Sequence, residues 1–244
     1  MRIIYLSPHL DDAILSAGGL IRQQTQVGIP VETWTFMAGV PPTEELAEFG
    51  KTMHQIWGYG TPAEAIEIRR EEDRRAAAEV GARAVHFDFL DCIYRRGKNG
   101  EGLYADAELP LDPEDADLPA QVAQAMIAWL QPDDRLVCQL AIGGHVDHLV
   151  VRKAAEMLQR PLTYDADIPY LLNHPNELDQ NVAGMQESLQ PVSETELESW
   201  IAAIECYATQ VESVFGSWGI MREQMQAYWS EYKGVRFWNN KTNG

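Results

Sequence analysis

Two short motifs bring together the residue types from which catalytic metal sites are built. One is S-P-H-L-D-D at residues 7–12, and the other is G-G-H-V-D-H at residues 143–148. In each motif a histidine is followed three positions later by a second potential ligand, a spacing that puts both side chains on one face of an opening helical turn. Two imidazoles and a carboxylate, with a fourth position left open, suit a catalytic zinc ion. The motifs therefore indicate a metal centre.

Each motif taken alone also has a structural explanation. Asp11 and Asp12 could cap the first helix, and Asp147 could cap the helix that begins near Leu149, because aspartate is a favoured N-cap residue. The joint occurrence favours the functional interpretation, since three of only six histidines lie in the two motifs. The other three have no such neighbours and are expected to be structural: His54, His86 and His174.

The elements that must position these motifs alternate between strand and helix. Apolar and β-branched runs predict strands over residues 3–6, 31–36, 84–87, 136–140 and 161–164. Helical patterns lie between them, most clearly over residues 64–80, where Gly81 supplies a helix terminus. This alternation predicts an α/β protein with a mostly parallel sheet covered by helices on both faces. Both motifs directly follow a predicted strand, at the sheet edge where such folds bind ligands.

Length and composition predict one domain over residues 1–244, with no linker that divides it. Two polar segments interrupt the alternation, residues 91–119 and 172–195. Segments of that length without regular structure are commonly functional or disordered.

The charge balance excludes several classes of partner. The chain has 37 acidic and 19 basic residues, a formal net charge of −18, and such a surface repels nucleic acid and anionic membranes. No apolar run reaches the roughly 20 residues of a membrane-spanning helix, and the N-terminus lacks the features of a signal peptide. We therefore expect a cytoplasmic protein that binds neither nucleic acid nor membranes. A homo-oligomer is compatible with the sequence, which does not set the oligomeric state.

The two motifs give the chain a family resemblance. S-P-H-L-D-D together with H-V-D-H resembles the LmbE-like, or PIG-L, zinc-dependent N-deacetylases, whose hallmarks are P-H-x-D-D and H-x-D-H. R-R-E-E at residues 69–72, F-L-D at residues 89–91 and Y-A-T-Q at residues 207–210 are similar to further patterns of that family. The resemblance implies a Rossmann-like three-layer sandwich. It also implies that zinc-activated water removes an N-acetyl group from an amino sugar or its conjugate, a small-molecule partner.

The resemblance assigns roles residue by residue. It implies that His9, Asp12 and His148 bind Zn²⁺, that Asp11 is the general base, and that His145 stabilises charge or donates a proton. Ligands of these types accept other divalent metals as well, Fe²⁺ among them.

Two further residues, Asp147 and Arg69, have two interpretations each, and the role of a third, Asp91, is assigned more weakly. Asp147 either orients a flanking imidazole, as a catalytic residue, or caps its helix. Arg69 either reaches the substrate, as the resemblance suggests, or pairs at the surface with Glu72 or Asp73. Asp91, placed at the end of the third strand, is expected to hydrogen-bond a sugar hydroxyl.

The sequence departs from the family pattern at Ala13, where the family usually has Glu. This departure supports one alternative, a metal- or sugar-binding homologue with impaired turnover. The other alternative is a zinc amidase that acts on a larger acyl group or a non-sugar amide. A nucleotide-binding module is excluded because G-x-G-x-x-G does not follow the first strand.

Residues 94–96 could contact a polar aglycone. For four tryptophans, core packing is preferred over sugar stacking: Trp200, Trp218, Trp229 and Trp238.

Overall fold

A seven-stranded sheet runs through the centre of the protein. The structure is a computed structural model that describes residues 1–240; residues 241–244, the last of the predicted domain, lie outside the described residues. The strands are β1 (Ile3–Ser7), β2 (Val31–Thr35), β3 (Arg83–His86), β4 (Arg135–Gln139), β5 (Leu162–Asp165), β6 (Met185–Pro191) and β7 (Gly234–Asn240). Their order is β3-β2-β1-β4-β5-β7-β6. The first five pair in parallel, and β7 is antiparallel to both of its neighbours.

Helices cover both faces of this sheet and confirm the predicted α/β sandwich. In the described part of the chain they are α1 (Asp12–Gln26), α2 (Glu48–Trp57), α3 (Pro62–Glu79), α4 (Leu118–Trp129), α5 (Val146–Met157), α6 (Tyr170–Asn173), α7 (Leu178–Asn181), α8 (Glu194–Ile204), α9 (Val211–Phe215) and α10 (Trp218–Tyr232). Helix α8 packs on α1 and α3, and α4 packs on α5. Within residues 1–240, none of these helices combines the length and apolar character needed to cross a bilayer.

The five predicted strands are all present, each within one residue of its predicted bounds. The polar segment 172–195 is not a loop, because it contains α7 and the edge strand β6. The sequence does not predict β6, since most of its side chains are exposed and carry no apolar pattern. Segment 91–119 has only two short 3₁₀ turns, Cys92–Tyr94 and Pro113–Asp115, before α4 begins.

A close contact between α1 and α8 fixes the position of the first motif. Trp200 of α8 is buried and donates a hydrogen bond from Nε1 to the carbonyl of Ile14, at 2.7 Å. Gly18 makes room for the indole, since a Cβ there would lie 2.5 Å from Trp200 Cδ1. Core packing is thus the role of Trp200, as expected. Trp238 is also buried, and Trp229 donates to the carbonyl of Val192.

Replacing Gly18 with alanine should lower the free energy of unfolding by about 1–3 kcal/mol, because the added methyl displaces a fully packed indole. Urea unfolding followed by fluorescence measures this change. Gly219→Ala is the matched control: its Cβ would meet nothing closer than Ser217 Oγ at 3.9 Å, so stability should stay equal or rise. Equal midpoints for the two variants would contradict the packing argument.

Candidate functional site

The two motifs meet because β1 and β4 are adjacent parallel strands at the point where the strand order reverses. His9 follows β1, Asp12 is the first residue of α1, and His148 lies in the first turn of α5; all three are buried. Asp12 Oδ2 lies 3.2 Å from His9 Nδ1 and 3.4 Å from His148 Nε2. One ligand atom from each of the three residues lies within 4.8 Å of those of the others.

This group fits a divalent cation. The Nε2 atom of His148 is buried and has no hydrogen-bond partner within residues 1–240, although buried polar atoms are nearly always bonded. Two imidazole nitrogens and a carboxylate oxygen are a ligand set that zinc accepts with a position left open. The structure therefore brings the three predicted ligands together around a common point, while their metal binding stays a prediction.

Two other groups of potential ligands lie nearby, and they share Asp147. His145 and Asp147 form a second group with His9, and Asp91, Cys92 and Asp147 form a third. In both, Asp147 already accepts two hydrogen bonds, from Arg95 and from the backbone N–H of Cys92. Burial and nearby carboxylates raise the pKa of the Cys92 thiol well above its usual value, which disfavours the thiolate that a metal requires.

A carboxylate lies close behind each of two candidate ligand histidines, His9 and His148. Asp147 Oδ2 lies 3.1 Å from His9 Nε2, and Asp167 Oδ1 lies 3.2 Å from His148 Nδ1. This is the carboxylate–histidine arrangement typical of metal sites. Burial by itself lowers the pKa of His9, but its bonds to Asp12 and Asp147 outweigh that effect and hold the pKa well above the ordinary value. A cation must therefore compete with a proton at His9.

Asp11 is buried next to Asp12 and does not serve as a helix cap. It occupies the N-cap position of α1, but its side chain makes no capping bond, so that interpretation is wrong. Asp12 does not cap the helix either, because its Oδ2 accepts from the N–H of His9 at 2.7 Å. Burial and the adjacent charge of Asp12 raise the pKa of Asp11 to about 6. A carboxylate with a pKa in this range is suited to accept and return a proton near neutral pH.

His145, rather than Asp147, is the N-cap of α5. Its Nδ1 accepts the N–H of Asp147 at 3.2 Å, which assigns the hydrogen of a neutral ring to Nε2. The capping interpretation of Asp147 is therefore wrong, and its carboxylate faces His9 instead. Burial of the His145 ring away from water and the nearby charges of His9 and His148 hold the pKa of His145 well below its usual value. His145 thus offers a neutral N–H donor beside the three candidate ligands.

A cavity of about 400 Å³ opens over this group. The polar side chains at its base include His9, Asp11, Asp12, Arg69, Asp91 and His145. Helix α2 supplies an apolar wall, which consists of Phe49, Met53, Ile56 and Trp57. None of the four tryptophans considered for sugar stacking lies among the residues that line this cavity.

Arg69 is buried at this site and is not a surface residue. Its Nη2 lies 3.4 Å from Asp11 Oδ2, and its Nη1 lies 3.9 Å from Asp91 Oδ2. The surface pairing with Glu72 or Asp73 is wrong, because these carboxylates point elsewhere. Glu72 accepts the N–H and hydroxyl of Thr209.

The remaining parts of the helix motif tie α3 to the C-terminal region. Asp73 accepts the hydroxyl of Tyr207 at 2.8 Å and that of Thr35 at 3.2 Å. His86 also contacts Asp73, at 2.8 Å, and so has a structural role, as expected. The Y-A-T-Q segment therefore anchors α3 behind Arg69.

Asp91 lies on a turn beyond the third strand, and not at its end. Strand β3 ends at His86, and Asp91 caps the 3₁₀ turn Cys92–Tyr94 by accepting the N–H of Ile93 at 3.1 Å. Its Oδ2 is 3.9 Å from His9 Nε2 and lines the cavity. A contact with substrate stays a prediction.

Residues 94–96 do not form a basic patch that could contact an aglycone in the cavity. The hydroxyl of Tyr94 lies 2.8 Å from His54 Nε2, Arg95 is buried against Asp147, and Arg96 donates to the carbonyl of Glu45 at 2.7 Å. None of the three lines the cavity. The packing of Tyr94 on His54 supports the structural role expected for that histidine.

Three contributions to the site lie outside the sequence-based predictions. The apolar wall of α2 has a usable signal, since its four residues follow the i, i+4, i+7, i+8 spacing of an amphipathic helix. Asp167 follows the predicted fifth strand, at the same edge of the sheet as the two motifs. Arg95 has no local signal for its contact with Asp147, which depends on the path of the whole 91–117 segment.

Ala13 does not take a group out of the cavity. It is 2% exposed, packs in the apolar core, and does not line the cavity. The departure from the family pattern therefore leaves the polar base of the site unchanged.

Known proteins resemble this chain in sequence and in structure. Residues 4–158, more than half of the chain, match the family described as PIG-L, GlcNAc-PI de-N-acetylase. A 2'-N-acetylparomamine deacetylase of Niallia circulans is 24% identical, with 96% of this chain and 92% of that protein covered. The zinc-inhibited form of a teicoplanin deacetylase has a TM-score of 0.83 at 27% identity, over 100% of both chains. A deacetylase of teicoplanin biosynthesis in complex with teicoplanin gives 0.82 at 26%, again over 100% of both chains.

These matches agree with the residues that carry the family resemblance. The matched range includes both histidine–aspartate motifs and the R-R-E-E helix. The full-length structural agreement extends the likeness to the C-terminal strands that lie beyond it. The chain belongs to the PIG-L family, whose LmbE-like deacetylase fold it shares.

Proposed function

We propose that this protein removes an N-acetyl group from an N-acetylated amino sugar conjugate by metal-assisted hydrolysis. The observation that carries the proposal is the convergence of His9, Asp12 and His148 in a cavity that the carboxylate of Asp11 also lines. Relatives that are deacetylases of sugar-containing compounds support the reaction type.

His9 Nδ1, Asp12 Oδ2 and His148 Nε2 would hold the cation, which we propose to be Zn²⁺. The chemistry that such a cation supplies when bound is Lewis acidity toward water and toward the acyl oxygen. Asp147 and Asp167 keep the two imidazoles oriented through the nitrogens that face away from Asp12. An Fe²⁺ ion would use the same ligands.

Asp11 and His145 act on the reacting atoms from two sides. Asp11 accepts the proton of the attacking water and returns it to the departing amine, so that the C–N bond breaks with a neutral leaving group. His145 donates a hydrogen bond from its Nε2–H to the oxygen that gains negative charge. Arg69 lies beside Asp11 and keeps that carboxylate directed into the cavity. It also contacts the substrate, together with Asp91, which accepts a hydrogen bond from a sugar hydroxyl.

Helix α2 would receive the part of the conjugate that lies away from the acetyl group. Ile56 is 60% exposed yet lines the cavity, and Met53 and Trp57 continue the same apolar face inward. An apolar or aromatic aglycone would bury this face. A larger acyl group is the second candidate, because the cavity exceeds the volume of an acetyl group.

Metal binding tests the ligand assignment directly. Wild-type protein should bind one equivalent of Zn²⁺, and His148→Ala should weaken binding by at least about 100-fold because one of three protein ligands is lost. Elemental analysis after dialysis and titration against a chelating dye give these values. His174→Ala is the control, since His174 lies outside the three groups and pairs with Glu177 at 3.5 Å. Equal affinity in both variants would refute the assignment.

Substitution of Asp11 tests turnover separately from metal binding. Asp11→Asn should keep stoichiometric Zn²⁺ while kcat for acetate release falls by about 10²–10⁴-fold, because the amide cannot accept the proton of water. The assay uses a panel of N-acetylglucosamine conjugates and longer N-acyl analogues. Faster release of a longer acid would favour the amidase. Zinc-loaded wild type that hydrolyses no acylated amine would instead support the impaired homologue.

The apolar wall should affect aglycone recognition alone. Ile56→Ser should raise KM for a conjugate with an aromatic aglycone by about fivefold, equivalent to about 1 kcal/mol of lost apolar burial. KM for N-acetylglucosamine itself should not change. Ile127→Ser, at an exposed position of α4 outside the cavity, is the control. Equal changes for both substrates would show that α2 does not contact the aglycone.

A further inference from the structure

Arg95 is a buried cation that joins the long segment 91–117 to the candidate metal site. It is 6% exposed. Its Nη1 donates to Asp147 Oδ1 at 2.5 Å and to the carbonyl of Leu90 at 2.9 Å, and its Nε lies 2.6 Å from Asp115 Oδ2. The guanidinium therefore lies between a carboxylate of the site and a carboxylate of the segment.

The segment is folded around this arginine. The ring of Tyr104 lies 4.9 Å from the guanidinium carbon, and its hydroxyl donates to Asp115 Oδ2 at 2.8 Å. Tyr104 is also buried with Ile93 and Val146 in a small apolar cluster. The N–H of Val146 donates to the carbonyl of Ala107 at 2.7 Å, so the segment contacts α5 directly beside Asp147.

Asp147 transmits these contacts to His9. Its carboxylate is fully buried: Oδ1 faces Arg95, whereas Oδ2 accepts the N–H of Cys92 at 3.0 Å and lies 3.1 Å from His9 Nε2. A buried carboxylate without a cationic partner is costly. Removal of the arginine would therefore leave Oδ1 without its partner and let this carboxylate turn, which alters its contact with His9.

We propose that Arg95, held by Asp115, is a positioning residue of the metal centre that acts through Asp147 to fix the imidazole of His9. This inference rests on the metal ligands assigned under the proposed function. The 91–117 segment then has a specific role, because it completes a chain of contacts from Asp115 through Arg95 and Asp147 to His9. Partners of this kind that orient ligands typically change metal affinity by about 10–100-fold when lost.

The test measures Zn²⁺ affinity and the visible absorption of the Co²⁺-substituted protein, neither of which requires substrate. Arg95→Met should weaken Zn²⁺ binding by about 10–100-fold and change the Co²⁺ spectrum, because His9 is no longer held in place. Arg96→Met is the matched control, since Arg96 donates to the backbone of Glu45 and Gly100. It should bind Zn²⁺ with wild-type affinity.

A double-mutant cycle shows whether the effect passes through Asp147. Asp147→Asn alone should weaken Zn²⁺ binding to a similar extent, and adding Arg95→Met should then cost no more than about threefold. Losses that multiply would mean that Arg95 acts independently, and this would overturn the proposal. So would an Arg95→Met variant with wild-type affinity and an unchanged Co²⁺ spectrum.

Asp115→Asn gives an answer if Arg95→Met does not fold. It keeps the pair between Arg95 and Asp147 and removes only the outer carboxylate, so Zn²⁺ affinity should fall by about threefold to tenfold. Wild-type affinity in this variant would overturn the proposal, which requires Asp115 to hold Arg95. Failure of the proposed function is distinguishable, because wild-type protein would then bind no stoichiometric metal, or would bind it without releasing acetate.

Discussion

The parallel pairing of β1 with β4 is the constraint on which the site depends. It places two segments that are far apart in sequence side by side. His9 Nε2 and Asp147 Oδ2, whose residues are 138 positions apart, therefore lie 3.1 Å from each other. The strand order reverses at this pair, which leaves a crevice beyond the strand ends that is not covered by a crossover helix. The backbone register of β1 and β4, more than side-chain packing, therefore determines the distances among the candidate ligands.

A second constraint is electrostatic. Five buried carboxylates surround the crevice: Asp11, Asp12, Asp91, Asp147 and Asp167. The two buried guanidinium groups of Arg69 and Arg95 offset only part of this negative charge. The bonds of His9 to Asp12 and Asp147 and the nearby charge of Asp91 hold its pKa well above the ordinary value despite burial. A divalent cation bound at Asp12, as proposed above, would offset part of the same negative charge.

The parts of the fold that the sequence predicts are those that depend on local pattern. The five parallel strands contain apolar and β-branched residues, and all five are located to within one residue. Strand β6 is mostly exposed and pairs with β7, which is distant in sequence. Its strand conformation depends on this pairing and has no signal in its own residues. Helix α2 is a different case, because its apolar face has a clear helical spacing but both lines the cavity and packs against the smaller apolar cluster. The candidate ligands are predictable, since His9, Asp12 and His148 lie in compact motifs directly after strands. Of their supports, Asp147 lies in the same motif as His148 and was expected to orient an imidazole. Arg95 and Asp167 lie in irregular segments, where the backbone path and not a periodic pattern decides what each side chain contacts.

Ala13 shows why a departure from a motif must be interpreted in three dimensions. In the sequence it lies next to Asp12, which suggests a side chain that supports the reacting groups. In the structure, α1 begins at Asp12, and the rotation of about 100° per helical residue turns position 13 away from the crevice and into the core. A glutamate there would have to bury its carboxylate among apolar side chains or reach a polar partner behind the sheet edge. An alanine at this position is therefore compatible with an intact site, because the groups that face the cavity, Asp11 and Asp12, are retained on the other side of the same turn.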